Sequence, residues 1–123
     1  MIHLDTNFLI ESLVPSSVAG AKLQTWLRDG EDVGISSIAW SEFLCGPLTV
    51  ADEELAQLLF PQPNSFLASD AYKAAQLFNA TGRRSRSLAD CQIAAIALRC
   101  GARMATANAA DFSLFQSHGL TLE

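Results

Sequence analysis

Met1-Ile2-His3-Leu4-Asp5-Thr6-Asn7 opens the chain, and its reading decides the fold. Ile2 and Leu4 are apolar and an acid follows at once; Phe8, Leu9, Ile10 and Leu13 then recur at helical spacing. The pattern predicts a short buried strand ending in Asp5, with Thr6 or Asn7 opening a helix. Open α/β sheets bind ligands beyond the carboxyl ends of their strands. Asp5 therefore has two readings, a helix cap or the first member of a site. The choice depends on whether other acids converge on it.

The same alternation continues downstream. Pro15-Ser16-Ser17 leads into a helix with Ala19, Leu23, Trp26 and Leu27 on one face, ended by Gly30. Val33 to Ile35 is a second strand, and Ser36 or Ser37 caps a helix carrying Trp40, Glu42, Phe43 and Leu44. Thr49 caps another, with Asp52, Glu53 and Glu54 in its first turns and Leu55, Leu58, Leu59 and Phe60 as its core face. Ser65-Phe66-Leu67 is a third strand, followed by a helix that Ser69-Asp70 caps and that runs to Phe78. A basic loop, Gly82 to Arg86, precedes the most apolar helix, Leu88 to Cys100, which Gly101 ends. Ala102 to Thr106 is a fourth strand, Asn108 to Phe112 a turn, and Gly119 to Leu122 a fifth strand. Strands alternating with helices imply parallel pairing. The expected fold is a three-layer α/β/α sandwich with a mainly parallel sheet of about five strands, one domain over residues 1–123.

Composition narrows the function. Half of the 123 residues are hydrophobic and 17% are charged, which suits a globule with a substantial core. A net charge of −5 argues against coating nucleic acid by bulk attraction, yet permits a local basic groove or a cation that reverses the charge locally. No apolar run approaches the ~20 residues of a membrane span, and Asp5 interrupts any signal-peptide core. Cys45, Cys91 and Cys100 read as small core fillers in a reducing compartment, hence the cytoplasm. Cys91 and Cys100 would lie roughly 13 Å apart along one helix, too far to bridge.

The acids converge. Helices that follow or precede parallel strands begin at the carboxyl edge of the sheet. Asp5 ends the first strand, Glu42 lies near the start of the helix after the second, and Asp90 lies in the first turn of the helix leading into the fourth. Asn108 follows the fourth strand, with Asp111 beyond it. Three carboxylates at one edge repel one another unless some protonate or a cation sits among them. Hard oxygen ligands without Cys or His select Mg²⁺ or Mn²⁺ over zinc, and such a site suits phosphodiester chemistry. Plain alternatives stand beside each residue. Ser87 and Asp90 form a capping-box-like pattern, Asn108 and Asp111 suit an ordinary turn, and His3 reads as structural. Arg83, Arg84 and Arg86 are either a solvated loop or contacts to a nucleic-acid backbone. A receiver domain lacks its late lysine here, since the only lysines are Lys22 and Lys73. A haloacid-dehalogenase-type phosphatase would want an Asp where Asn7 stands.

Leu4-Asp5-Thr6-Asn7, Glu42 in its Ser-Glu-Phe context, Asp90-Cys91-Gln92-Ile93-Ala94-Ala95 and Thr106-Ala107-Asn108-Ala109-Ala110-Asp111-Phe112 together resemble a PIN-domain ribonuclease. The nearest type is the VapC-like toxin of bacterial toxin–antitoxin pairs, and the resemblance covers nearly the whole chain. It implies a Mg²⁺- or Mn²⁺-dependent endoribonuclease that hydrolyses RNA by in-line attack of an activated water. Asp5, Glu42 and Asp90 match the family's acidic metal positions, and Asn108 stands at its fourth. Thr6, Asn7 and Thr106 match polar positions that line the site, and Asp111 is a possible extra acid. The resemblance further implies a homodimer, a small cognate antitoxin that covers the groove, and DNA contact only through that antitoxin. The other functions that suit the same residues are a catalytically inactive binding module and a metal-dependent DNA nuclease or phosphatase.

Overall fold

A computed structural model describes all of residues 1–123. Its sheet has three parallel strands, β1 (Ile2–Leu4), β2 (Val33–Ile35) and β3 (Arg103–Ala105), in the order β2-β1-β3. The helices are α1 (Thr6–Ser12), α2 (Val18–Arg28), α3 (Ser37–Cys45), α4 (Val50–Leu59), α5 (Ala68–Ala80), α6 (Leu88–Cys100) and α7 (Ala109–Phe112), with a 3₁₀ helix over Ser113–His118. Ile2, His3 and Leu4 are all fully buried. Successive side chains on a strand face opposite ways, so both faces of β1 are covered, as a three-layer sandwich requires.

The sheet has three strands and not five. Ser65 to Leu67, expected as the third strand, makes no bridge, although Asn64 just before it makes one parallel bridge to Ser36; the expected fifth strand makes one, Leu122 to Met104. Pro61 and Pro63 withhold two donors just before Asn64, and α5 starts at Ala68, so no ladder extends there. At the other edge, Gly119 turns left-handed (φ 104°) and the Leu120 N–H returns to the Phe115 carbonyl. Pairing with β3 therefore begins only at Thr121, whose carbonyl accepts the Met104 N–H at 2.8 Å.

α6 contributes Cys91, Ile93, Ala94, Ala95, Ile96 and Ala97 to the interior. Its run of alanines lets neighbouring backbones approach closely, and α5 packs along it. α1 and α2 are joined by stacking of Phe8 on Trp26, ring centroids 5.5 Å apart. Three expectations are corrected. α4 buries Ala56 and turns Leu55 and Leu58 outward, with Leu58 80% exposed. Cys45 is exposed, Cys100 half-buried and only Cys91 a true core residue. Leu67, not Ser69 or Asp70, is the first residue of the α5 cap; Asp70 lies inside the helix and accepts the Leu67 N–H at 2.9 Å.

That Asp70 is buried and tied to α6. Arg99 Nε donates to both its carboxylate oxygens, at 2.9 and 3.1 Å, while Nη2 donates to the Ser65 carbonyl at 2.9 Å. One guanidinium thus links α5, α6 and the edge segment next to β2. His3 is the other buried polar side chain of the sheet, and neither ring nitrogen finds a hydrogen-bond partner. Burial pushes its pKa down to about 4. Gly34 makes room for it: a Cβ there would lie 3.1 Å from Asn64 Oδ1 and 3.3 Å from His3 Nε2.

Candidate active site

Strand register builds the site. Leu4 pairs with both Ile35 and Ala105, so all three strands end level. The next residues, Asp5, Ser36 and Thr106, therefore form a row across the carboxyl edge. Ser36 Oγ caps α3 by accepting the Ala39 N–H at 3.0 Å. That launches α3 from the edge and carries Glu42 above it in the second turn.

Asp5 takes the first of its two readings and also faces the neighbouring strand. It is the N-cap of α1, Oδ1 accepting the Phe8 N–H at 2.7 Å. Oδ2 accepts a hydrogen bond from the Thr106 hydroxyl, whose oxygen in turn accepts the Asn108 N–H at 2.9 Å. The helix opens at Thr6, as expected, with Asp5 as its cap. Thr6 donates its hydroxyl to Glu42 Oε1 at 2.8 Å, which fixes an otherwise exposed side chain. Asn108 Nδ2 donates to Asp111 Oδ2 at 2.7 Å. The capping box read from Ser87 and Asp90 does not form. Ser87 makes no side-chain cap bond, and its hydroxyl donates to the Arg84 carbonyl at 2.9 Å.

A cleft of about 110 Å³ brings the residues together. Asp5, Glu42, Asp90 and Asp111 share it with Thr6, Asn7 and Asn108, and Ile93 and Phe112 are the only apolar side chains in its wall. Thr106 supports it from behind through Asp5. Burial, then the charges of Asp111, Glu42 and Asp5, push the Asp90 pKa up to about 6, with Arg84 working against the rise. Burial also raises Asp5, against the hydrogen bonds from Thr106 and Phe8. None of the cleft's carboxylates forms an ion pair with a Lys or Arg side chain.

The donor set fits Mg²⁺ or Mn²⁺: every polar group in the wall is an oxygen or amide donor, without sulfur or imidazole. Nowhere do three acidic, histidine or cysteine side chains close into a ready-made cage. Mg²⁺ keeps several waters and takes one or two carboxylates plus substrate phosphates, so it does not need one.

A second cavity, of about 420 Å³, adjoins the cleft, sharing Asp90 and Asp111 with it. Arg84, Ser85, Arg86 and Ser87 form the rest of its wall, whereas Arg83 does not line it. Sequence reasoning missed Ser85, read Ser87 only as a cap, and met Ile93 and Phe112 only as parts of the family motifs. The serines interleaved with Arg84 and Arg86 were the available signal for the cavity.

The sequence profile of the PIN domain matches residues 2–115. The chain is a PIN domain. PIN domains are generally nucleases that depend on divalent metals. Solved structures share its fold. The FitAcB crystal structure from Neisseria gonorrhoeae aligns at 23% identity and a TM-score of 0.75, over 100% of this chain and 97% of that one. VapBC2 from Rickettsia felis, bound to a DNA fragment from its promoter, aligns at 19% identity and 0.78, over 100% and 98%. VapBC-1 from nontypeable Haemophilus influenzae aligns at 20% and 0.73, over 100% and 97%. No curated protein sequence matches the chain. No helix of this PIN domain is long and apolar enough to cross a membrane.

Proposed function

We propose that this PIN domain is a Mg²⁺- or Mn²⁺-dependent endoribonuclease and the toxin of a toxin–antitoxin pair. The observation that carries the nuclease reading is the convergence of Asp5, Glu42, Asp90 and Asp111 on one cleft; burial first, and then the neighbouring charges, push the Asp90 pKa up to about 6. A cation there removes the repulsion and creates a binding place for a phosphodiester.

Asp5 and Asp90 hold the cation, and Glu42 completes the set, held in place by Thr6. When bound, the metal supplies charge that activates water and stabilises the leaving oxygen of the phosphodiester. Thr106 orients the Asp5 carboxylate, and the Asn108 N–H orients Thr106. Asn7 and Asn108 offer amide donors to the substrate at the cleft wall, and the Asn108 amide also holds Asp111 in that wall. Arg84 and Arg86 lie beside Asp90 and Asp111 and supply local positive charge.

The toxin reading is supported by the full-length match to FitAcB and VapBC folds. It brings a small cognate antitoxin as partner, DNA contact only through that antitoxin, a homodimer and a cytoplasmic location. Exposed Val50, Leu55 and Leu58 on α4 give apolar surface for such contacts.

The test is expression without an antitoxin, together with cleavage of a structured RNA in Mg²⁺. Growth arrest and cleavage are expected, and Asp5→Asn abolishes both. Equal toxicity of Asp5→Asn, or hydrolysis of single-stranded DNA or a phosphomonoester in preference to RNA, contradicts the reading.

A further inference from the structure

We propose that the cavity walled by Arg84 and Arg86 is a phosphate subsite for single-stranded RNA. It seats the phosphate next to the scissile one and does not read its base. The inference rests on the nuclease reading of the adjoining cleft and names what holds the strand there.

The argument is one of position and charge. A strand crossing the acid cleft leaves it through a neighbouring hollow. On one side is the cavity of about 420 Å³ that shares Asp90 and Asp111 with the cleft and carries two guanidinium groups. On the other is a hollow of about 360 Å³ that shares Asn7 and Asn108 with the cleft; its only charged group is Glu11. The first sets two arginines beside the carboxylates of Asp90 and Asp111, whereas the second offers a phosphodiester no cation and one carboxylate. Guanidinium groups also match phosphate geometry through paired N–H donors.

The wall is built rather than loose. Ser87 is buried, and both its N–H and its hydroxyl donate to the Arg84 carbonyl, at 3.0 and 2.9 Å. This closes the turn that carries Arg84, Ser85 and Arg86 onto the start of α6. Arg83 precedes the turn in a left-handed conformation (φ 55°), its N–H bonded to the Phe78 carbonyl, and lies outside the cavity. The three arginines, equal in sequence, are thereby unequal in space. The cavity has no hydrophobic or aromatic side chain in its wall. Aromatic stacking, a common means of holding single-stranded bases, is absent from it, so contacts to the backbone are what it offers.

The test reads binding apart from cleavage. Fluorescein-labelled U12 and A12 oligoribonucleotides are titrated with the full chain in EDTA, over a salt series, by fluorescence anisotropy. Arg84→Ala and Arg86→Ala are each expected to weaken binding severalfold. The double variant is expected to reduce the slope of log K against log salt by about 0.7, the value of one single-strand phosphate. Arg83→Ala leaves affinity and slope unchanged, and U12 and A12 respond alike. An equal effect of Arg83→Ala, an unchanged slope in the double variant, an effect confined to one base, or no binding by the unmodified chain overturns the subsite. Cleavage is scored separately in Mg²⁺. The expected slope pattern without any cleavage sinks the nuclease reading alone, and cleavage with an unchanged slope sinks the subsite alone.

Discussion

The Thr106 hydroxyl donates to Oδ2 of Asp5 across 101 residues of sequence. Parallel pairing of Leu4 with Ala105 places the two residues side by side, and the Asp5 N–H reaches the Ala105 carbonyl at 3.0 Å. The carboxylate at the centre of the candidate site is therefore oriented by the neighbouring strand as well as by the helix it caps. Thr106→Val removes the donor while keeping the shape. RNA cleavage is expected to fall about 10- to 100-fold, the usual effect of losing a ligand's supporting hydrogen bond, with Thr106→Ser retaining most activity. Equal rates for the valine and unmodified chains would contradict the positioning role.

Divalent cations are expected to stabilise the fold, because they would relieve repulsion present only when Asp5, Glu42, Asp90 and Asp111 are assembled. At a hundredfold excess over Kd, Mn²⁺ adds about 2.7 kcal/mol to the unfolding free energy. Differential scanning fluorimetry should show a rise in Tm with Mn²⁺ that Asp5→Asn and Asp90→Asn each reduce, and that Asp52→Asn on α4 does not. A rise of the same size in all variants would point to binding elsewhere.

Stability and pH are linked through His3 and Asp90 with opposite signs. Between about pH 4 and 6.5 the folded chain keeps His3 neutral while the unfolded chain protonates it, so stability rises with pH. Between 3.8 and about 6 the folded chain keeps a proton on Asp90 that the unfolded chain releases, so stability falls with pH. Asp5, also raised, adds to the falling side. Asp90→Asn deletes one opposing contribution. Urea denaturation in EDTA at pH 4 and pH 6.5 should show the variant gaining stability on the unmodified chain across that interval. A constant difference between the two would contradict the assignment.

The Arg99–Asp70 pair holds the far end of α6. Arg99→Met leaves the buried Asp70 carboxylate with the Leu67 N–H as its remaining donor, and the Ser65 carbonyl loses its partner. A loss of about 3 kcal/mol in chemical denaturation is expected. Asp70→Asn should cost less, because the Arg99 side chain is 35% exposed and reaches water. Asp90 lies nine residues back along α6, roughly 13 Å away, so below the unfolding transition the cleavage rate should be unaffected. A large loss of stability in Asp70→Asn with none in Arg99→Met would reverse the assignment of which charge is desolvated.

Local pattern in the chain determined the β1-to-α1 opening, the polarity of the strands and the edge on which Asp5, Glu42 and Asp90 meet. Each follows from near neighbours: alternation of apolar and polar residues, helix caps, and the antiparallel course of helix and strand in an α/β unit. The number of paired strands was not determined in that way. Ser65 to Leu67 and Gly119 to Leu122 have strand-like composition, but backbone pairing depends on proline-free approach and on where Leu120 is buried, which are properties of the packed chain. Tertiary structure alone decided that Thr106 serves Asp5, that Asp70 is a buried partner of Arg99, and that Arg84 and Arg86 line a cavity while Arg83 does not. These relationships join residues far apart in sequence, or separate residues adjacent in it, through strand register and a left-handed turn, and no local periodicity encodes either.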